Sequence, residues 1–269
     1  MHAHDAHDTT EHLVLAERRD AALILTLNRA DAGNAIGTDT ARALARRIES
    51  TRGDESIRTI VLTGAGDRYF CTGGDVKAYA RLESPAELDR AFGLMRDVCD
   101  AIENLPCPVI AAVNGYAVGG GAELMLACDL RIAAANAQIG FPQSRLGIMP
   151  GWDGTERLLR TVGRANAARL LFSGIRVGAA DGLALGLIDE VVPAGEALAQ
   201  ALALAATFAE VAPLSLGAIK HALRDAGSAD RAGARARARE ALARLWFSAD
   251  HKEAERAFME KRAPRFTGR

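Results

Sequence analysis

Two glycine-rich segments and one carboxylate carry most of the chemistry open to this chain. The first segment is Phe70-Cys71-Thr72-Gly73-Gly74-Asp75-Val76-Lys77, and the second is Asn114-Gly115-Tyr116-Ala117-Val118-Gly119-Gly120-Gly121-Ala122-Glu123. Paired glycines let the backbone take positive φ and present N–H groups to a ligand. In the second segment three glycines enter a helix, whose start offers unpaired N–H groups and a positive dipole end. That combination suits an oxygen on which negative charge develops. Glu123 stands in the first turn of this helix, where a carboxylate either acts as an acid or base or merely stabilises the dipole, for under about 1 kcal/mol. Each loop taken alone reads as a tight turn that permits close packing.

Other chemistries fail on spacing. Gly64-Ala65-Gly66 follows an apolar strand, but the third position of a dinucleotide fingerprint is Tyr69. The sequence has no GxxxxGK[ST], no GxSxG elbow and no HExxH, and His12, His221 and His251 lie outside the glycine-rich regions. Cys71, Cys99, Cys107 and Cys128 form no CxxC pair, so they read as reduced, mostly buried small hydrophobes rather than zinc or redox ligands. No resident metal or redox cofactor is expected.

Elements that position these residues follow from patterning. Residues 13–28 read as a strand or hairpin, and Thr38 as the cap of a helix whose apolar face is Ala41, Leu44, Ala45 and Ile48. Residues 59–63 and 108–113 read as buried strands. A helix opens at Pro85 and runs to Asn104, another covers 121–127, and a strand covers 129–133. From Thr155 onward the pattern is almost wholly helical apart from an apolar piece at 187–192. Strand–helix alternation followed by a helical tail predicts an α/β core with a helical C-terminal region, divided near residue 200. Residues 1–11, with His2, His4 and His7, read as a flexible tail and not as a secretory leader.

The chain has 269 residues, 49% hydrophobic and 25% charged, with a net charge of −1. This is a soluble globular balance with no general attraction to nucleic acid or anionic membrane. The arginine-rich stretch 230–244 reads as a solvated helix face. No apolar run approaches the roughly 20 residues of a membrane span, and a cytoplasmic location is expected.

Together, the two glycine segments and Glu123 resemble the enoyl-CoA hydratase/isomerase (crotonase) superfamily. The likeness extends through Leu27-Asn28-Arg29 with Asn34-Ala35, Val61 to Gly64, and Ala112 to Leu124. It continues through Ala127-Cys128-Asp129, Leu146 to Gly151, Gly154-Thr155 with Arg157-Leu158, Ala180 to Val192, and Glu260-Lys261-Arg262. It implies a crotonase-like ββα superhelix over residues 12–200, a helical trimerisation region over 201–269, and a homotrimer or dimer of trimers. The implied substrate is an acyl-CoA thioester, with coenzyme A present only as part of it. Gly74 and Gly120 then supply two N–H donors to the thioester oxygen, and Glu123 is the catalytic carboxylate. Lys77, Phe258 and Lys261 approach the CoA moiety.

Two positions depart from the family pattern. Where the hydratases carry a second carboxylate this chain has Gln143, which exchanges no proton at neutral pH but can hold a water or substrate through its amide. Trp152-Asp153 stands where small residues are common. Asp153 either replaces the lost acid or caps the helix that follows. Hydration needs both a base for water and an acid for the α-carbon, so the missing carboxylate counts against it and against simple isomerisation, but the resemblance still places hydration first. A malonyl-type CoA decarboxylase or an enoyl-CoA isomerase is the alternative enzyme, and a CoA-thioester or RNA-binding relative the non-catalytic one. Residues 78–95 are expected to line the acyl pocket. The apolar residues Leu242, Leu245, Trp246 and Phe247 are expected to be covered by another subunit.

Overall fold

The hairpin expected over residues 13–28 forms from β1 (Val14–Arg19) and β2 (Ala22–Leu27), paired antiparallel from Val14 opposite Leu27 to Arg19 opposite Ala22. The computed structural model describes residues 10–79, 82–227 and 230–269, so the expected tail at 1–11 lies almost wholly outside the described residues; Glu11–Leu13 form a short 3-10 turn. The chain continues through α1 (Thr38–Glu49), β3 (Thr59–Gly64), β4 (Tyr69–Cys71), α2 (Val76–Tyr79) and α3 (Pro85–Asn104). Next come β5 (Val109–Val113), β6 (Tyr116–Val118), α4 (Gly120–Ala127), β7 (Leu130–Ala134) and β8 (Gln138–Gly140). Then follow α5 (Gly154–Ser173), β9 (Arg176–Gly178), α6 (Ala179–Ala184), β10 (Glu190–Val192), α7 (Ala197–Ala209), α8 (Pro213–Ala226), α9 (Arg231–Trp246) and α10 (Ala249–Glu260).

Successive turns of the chain give one strand to each of two sheets: β3 then β4, β5 then β6, β7 then β8. The larger sheet has the order β1-β2-β3-β5-β7-β10 and is parallel beyond the hairpin; the smaller has the order β4-β6-β8-β9. The expected ββα arrangement is thus present. Strands β3 and β5 are buried along their whole length, because both faces of the large sheet are covered. Ile60, Leu62, Val109 and Ala111 join the main core with Leu44, Met95 and Leu124. The alternate residues Val61, Ile110 and Ala112 face a second core, where Ala197, Ala201 and Ala205 of α7 lie along one helical stripe.

That second core corrects the expected boundary. Residue 200 falls inside α7, whose small side chains seat it directly on the sheet. The helices that stand off the sheet begin at α8, anchored by the buried Lys220. Its ammonium lies 2.7 Å from Asp129 and donates to the carbonyls of Ile102 and Cys107. Buried Asp250 accepts the N–H groups of Thr267 and Gly268 and so ties the C-terminal residues to α10. Thr38 proves to be the first residue of α1, with Gly37 at the capping position and no side-chain cap; α3 does carry one, where Ser84 accepts the N–H of Glu87. Cys71, Cys99 and Cys128 are buried, Cys107 is half-buried, and all are unpaired thiols. No single described helix is long and apolar enough to cross a membrane.

Candidate active site

Parallel pairing of β4 with β6, Tyr69 opposite Tyr116 and Cys71 opposite Ala117, delivers the two glycine segments to the same end of the small sheet. Their approach is closer than side chains permit. A Cβ on Gly73, which has φ of 96°, would lie 2.8 Å from the Gly120 nitrogen, and one on Gly121 would lie 2.0 Å from the Cys71 carbonyl oxygen. Residues 73–75 also bridge to Ile36, whose N–H donates to Gly73 O at 2.8 Å and whose carbonyl accepts the Asp75 N–H at 3.0 Å. That ladder passes over Gly74. Among the described residues, neither the Gly74 N–H nor the Gly120 N–H donates a hydrogen bond. Arg29 braces the loop by donating to Asp75 at 3.1 Å and to the Ala35 carbonyl at 2.7 Å.

Glu123 projects from the first turn of α4 into the main core, with only 2% of its surface exposed. An unpaired carboxylate there would be prohibitively costly. Four donors meet it instead: Oε1 accepts from Gln143 Nε2 at 2.9 Å and Gly151 N at 3.3 Å, and Oε2 accepts from Trp152 N at 2.7 Å and Gly154 N at 2.9 Å. Burial pushes the Glu123 carboxyl above the ordinary carboxylate value, and the four N–H groups pull against that without cancelling it. The bond from Gly151 is the longest, so a ligand displaces it most readily.

Gln143 is 6% exposed and lies in the 3-10 turn Pro142–Leu146. Its amide nitrogen is committed to Glu123, while its Oε1 is buried without a hydrogen-bond partner. Such an acceptor calls for a donor brought by a water or a substrate. The residue that departs from the family pattern is therefore in the site, touching the carboxylate.

Three aromatic rings stand against the glycine backbone around these groups. A Cβ on Gly120 would meet the Trp152 ring at 2.6 Å, one on Gly74 the Tyr79 ring at 2.2 Å, and one on Gly151 the Phe92 ring at 2.2 Å. Tyr79 and Phe92 pack with ring centroids 5.1 Å apart. Both come from the stretch expected to line an acyl pocket, of which residues 80 and 81 are outside the described residues.

Asp153 is brought to the edge of this group but not into it. Its backbone is left-handed (φ 61°), its side chain is exposed, and it makes no capping bond to α5, which starts at Gly154. The capping expectation for the Asp153 carboxylate is corrected, since it makes no bond to the helix, and it is not among the hydrogen-bond partners of Glu123; its charge is felt by Asp100, whose carboxyl is pushed up by burial first, then by Glu103 and Asp153. The backbone around it matters more, since the N–H groups of Gly151, Trp152 and Gly154 curl onto Glu123 as an anion-binding nest. Sequence reasoning missed these donors; the spaced glycines before a helix start were the available signal. Lys77 is exposed on α2, and Lys261 is exposed just past α10 with φ of 54°. The side chain of Phe258 lies outside the described residues.

Residues 17–269 match the family Enoyl-CoA hydratase/isomerase. The 2,3-dehydroadipyl-CoA hydratase of Escherichia coli (strain K12) is 37% identical over 256 residues, covering 95% of this chain and 99% of the relative. The short-chain-enoyl-CoA hydratase of Clostridium acetobutylicum is 36% identical over 250 residues, covering 93% and 95%. Among solved structures, the enoyl-CoA hydratase from Bacillus anthracis superposes with a TM-score of 0.91 at 32% identity, covering 96% of this chain and all of that one.

Proposed function

The chain belongs to the enoyl-CoA hydratase/isomerase family, and from that premise we propose that it is an acyl-CoA lyase that adds water across an enoyl-CoA double bond. The observation that carries this reading is the juxtaposition of two unspent backbone donors, Gly74 N–H and Gly120 N–H, with a buried carboxylate three residues along the same helix. The two donors receive the thioester oxygen. As hydroxide adds to the β-carbon the double-bond electrons move toward that oxygen, and each fixed donor stabilises the enolate by about 3–4 kcal/mol.

Glu123 performs the proton transfers alone, because Gln143 titrates nowhere near neutral pH. Water enters by displacing the long Gly151 bond on Oε1 and gives a hydrogen bond to Gln143 Oε1, the acceptor left open beside it. Ionised Glu123 takes one proton from the water while its oxygen bonds to the β-carbon. The protonated carboxyl then returns that proton to the α-carbon as the enolate collapses. A carboxyl raised by burial holds the proton between the two steps better than an exposed one would.

Gln143 and Trp152 favour decarboxylation of a malonyl-type CoA ester as the second reading, since that reaction needs the enolate oxygen held but no pair of carboxylates. In either case we expect a trimer or dimer of trimers, supported by Leu242, Trp246 and Phe247, which are exposed on and just beyond α9. Incubation with crotonyl-CoA, longer enoyl-CoAs and methylmalonyl- or ethylmalonyl-CoA, followed by mass spectrometry, tests the function. Water addition is expected. Loss of carbon dioxide without water addition selects the second reading, and no turnover of any thioester overturns both.

A further inference from the structure

We infer that Arg157 is a positioning residue that sets the backbone nest around Glu123. The inference rests on Glu123 being the working carboxylate. Arg157 lies in the first turn of α5, is 3% exposed, and has Glu103, Asp100 and the Trp152 carbonyl as its side-chain hydrogen-bond partners rather than Glu123. Its Nη1 donates to the Trp152 carbonyl at 2.6 Å, its Nη2 to Asp100 at 2.6 Å, and its Nε to Glu103 at 3.0 Å. Asp100 and Glu103 are three residues apart on one face of α3, so the guanidinium fork is fixed by two carboxylates of another helix while its remaining arm holds one carbonyl.

That carbonyl belongs to the residue whose own N–H makes the shortest bond to Glu123, 2.7 Å. The next residue, Asp153, occupies the left-handed region, which a non-glycine residue keeps only when its neighbours over-determine it. Here the neighbours are plain. Glu123 holds the N–H groups on either side, of Trp152 and Gly154, and Arg157 holds the carbonyl between them. Packing alone does not call for a buried arginine held by the exposed Asp100 and the half-buried Glu103, because an apolar residue of similar volume often serves stability as well as a buried charge or better. Orientation of one peptide group is what the cluster adds. Releasing the Trp152 carbonyl lets its segment turn and loosens the donors on Glu123, so the carboxylate loses stabilisation of its charged form. Cys99 of α3 also feels the charge of Glu123; burial pushes its thiol far up and keeps it neutral, so it does not substitute for the lost donors.

The test compares wild type with Arg157→Lys, Arg157→Met and Asp100→Asn in the full chain. Readouts are melting temperature, kcat and KM with crotonyl-CoA, and an isotope-edited NMR titration of the Glu123 carboxyl. Arg157→Met is expected to lower kcat about 10- to 100-fold with KM changed less than threefold, and to move the Glu123 titration to higher pH. Arg157→Lys, which keeps the charge without the fork, falls between. Asp100→Asn leaves Arg157 in place and serves if Arg157→Met does not fold; it shifts the titration in the same direction by less. Unmoved Glu123 titration and kcat in a folded Arg157 variant, or in Asp100→Asn, overturn the inference. The titration needs no turnover. A moved titration in an enzyme inactive on every thioester would therefore support the positioning role and sink the proposed function.

Discussion

Backbone N–H groups are used in opposite ways on the two sides of this site. Around Glu123 three of them, from Gly151, Trp152 and Gly154, fold onto one carboxylate together with the Gln143 amide, and every acceptor position on it is filled. Across the site the N–H groups of Gly74 and Gly120 point at nothing in the described chain. A buried charge must be matched in the folded state, so its donors are committed before any ligand arrives. An oxyanion exists only during the reaction, so its donors are most useful when left open and held rigid. The contrast between spent and unspent donors separates the group that persists from the charge that is transient.

Removing the persistent charge should have the largest effect. Glu123→Gln keeps the volume but ends proton transfer, and enoyl-CoA hydration should fall about 10²- to 10⁴-fold; the new amide NH2 faces two N–H donors that now meet a carboxylate oxygen, so the melting temperature should fall as well. The same carboxylate sets the acid side of the pH profile. Glu123 must be ionised to accept a proton, and its carboxyl lies above the ordinary 4.5. Activity should therefore decline, as pH falls, at a higher pH than for an ordinary glutamate; an acid limb at or below 4.5 contradicts this.

Breaking the unspent side comes next. Gly120→Ala places a methyl group 2.6 Å from the Trp152 ring, and the helix start must shift. Loss of one aligned donor should cost about 10²- to 10³-fold in kcat. Pairing it with Trp152→Ala removes the clash and should recover part of that loss, which a double-mutant cycle reads directly. No recovery would mean that the methyl group blocks the thioester itself.

Gln143→Glu sharpens the comparison by adding a second carboxylate 2.9 Å from the first. Two carboxyls at that distance share a proton. Hydration should rise, on the order of tenfold, at pH values where the pair holds one proton. Decarboxylation of a malonyl-type ester should fall, through repulsion of the substrate's own carboxylate. Unchanged rates on both substrate classes would remove Gln143 from the reacting centre.

The smallest effect is expected far from the site. Glu253 is held down to about 2 by a hydrogen bond from the Arg262 guanidinium, with the Arg265 N–H adding to it. Its folded-state value lies below its ordinary 4.5, so its contribution is complete above 4.5 and is lost as pH falls toward 2. Arg262 is exposed and Glu253 half-buried at the surface, and screening keeps the effect small. Hydrogen exchange of residues 262–269 should accelerate over that interval while α4 stays protected. Unchanged exchange would show the C-terminal residues to be held by Asp250 alone.

Much of this was legible in the sequence. Pro85 marks the first residue of α3; continuous apolar runs gave β3 and β5, and the glycines at 73, 120 and 121 stand where two backbones touch. The α7 boundary was misjudged because an alanine stripe has too little hydrophobic contrast to announce that it lies on a sheet. Asp153 was misjudged because an acidic residue before a helix looks like a cap, whereas its left-handed backbone turns the side chain away.

What the amino-acid order determined by itself is local: where glycine frees the backbone, where a helix starts, that position 143 cannot carry a proton, and that a carboxylate rides the first turn of α4. Those properties depend on side-chain type and on neighbours a few residues away. Only the tertiary structure decided what the carboxylate meets. Its donors come from 20 to 31 residues downstream, and the arginine behind them is held by α3, more than 50 residues upstream of it. No short-range rule brings these groups together. The burial that makes their hydrogen bonds matter exists only once the two sheets and their helices have closed around Glu123.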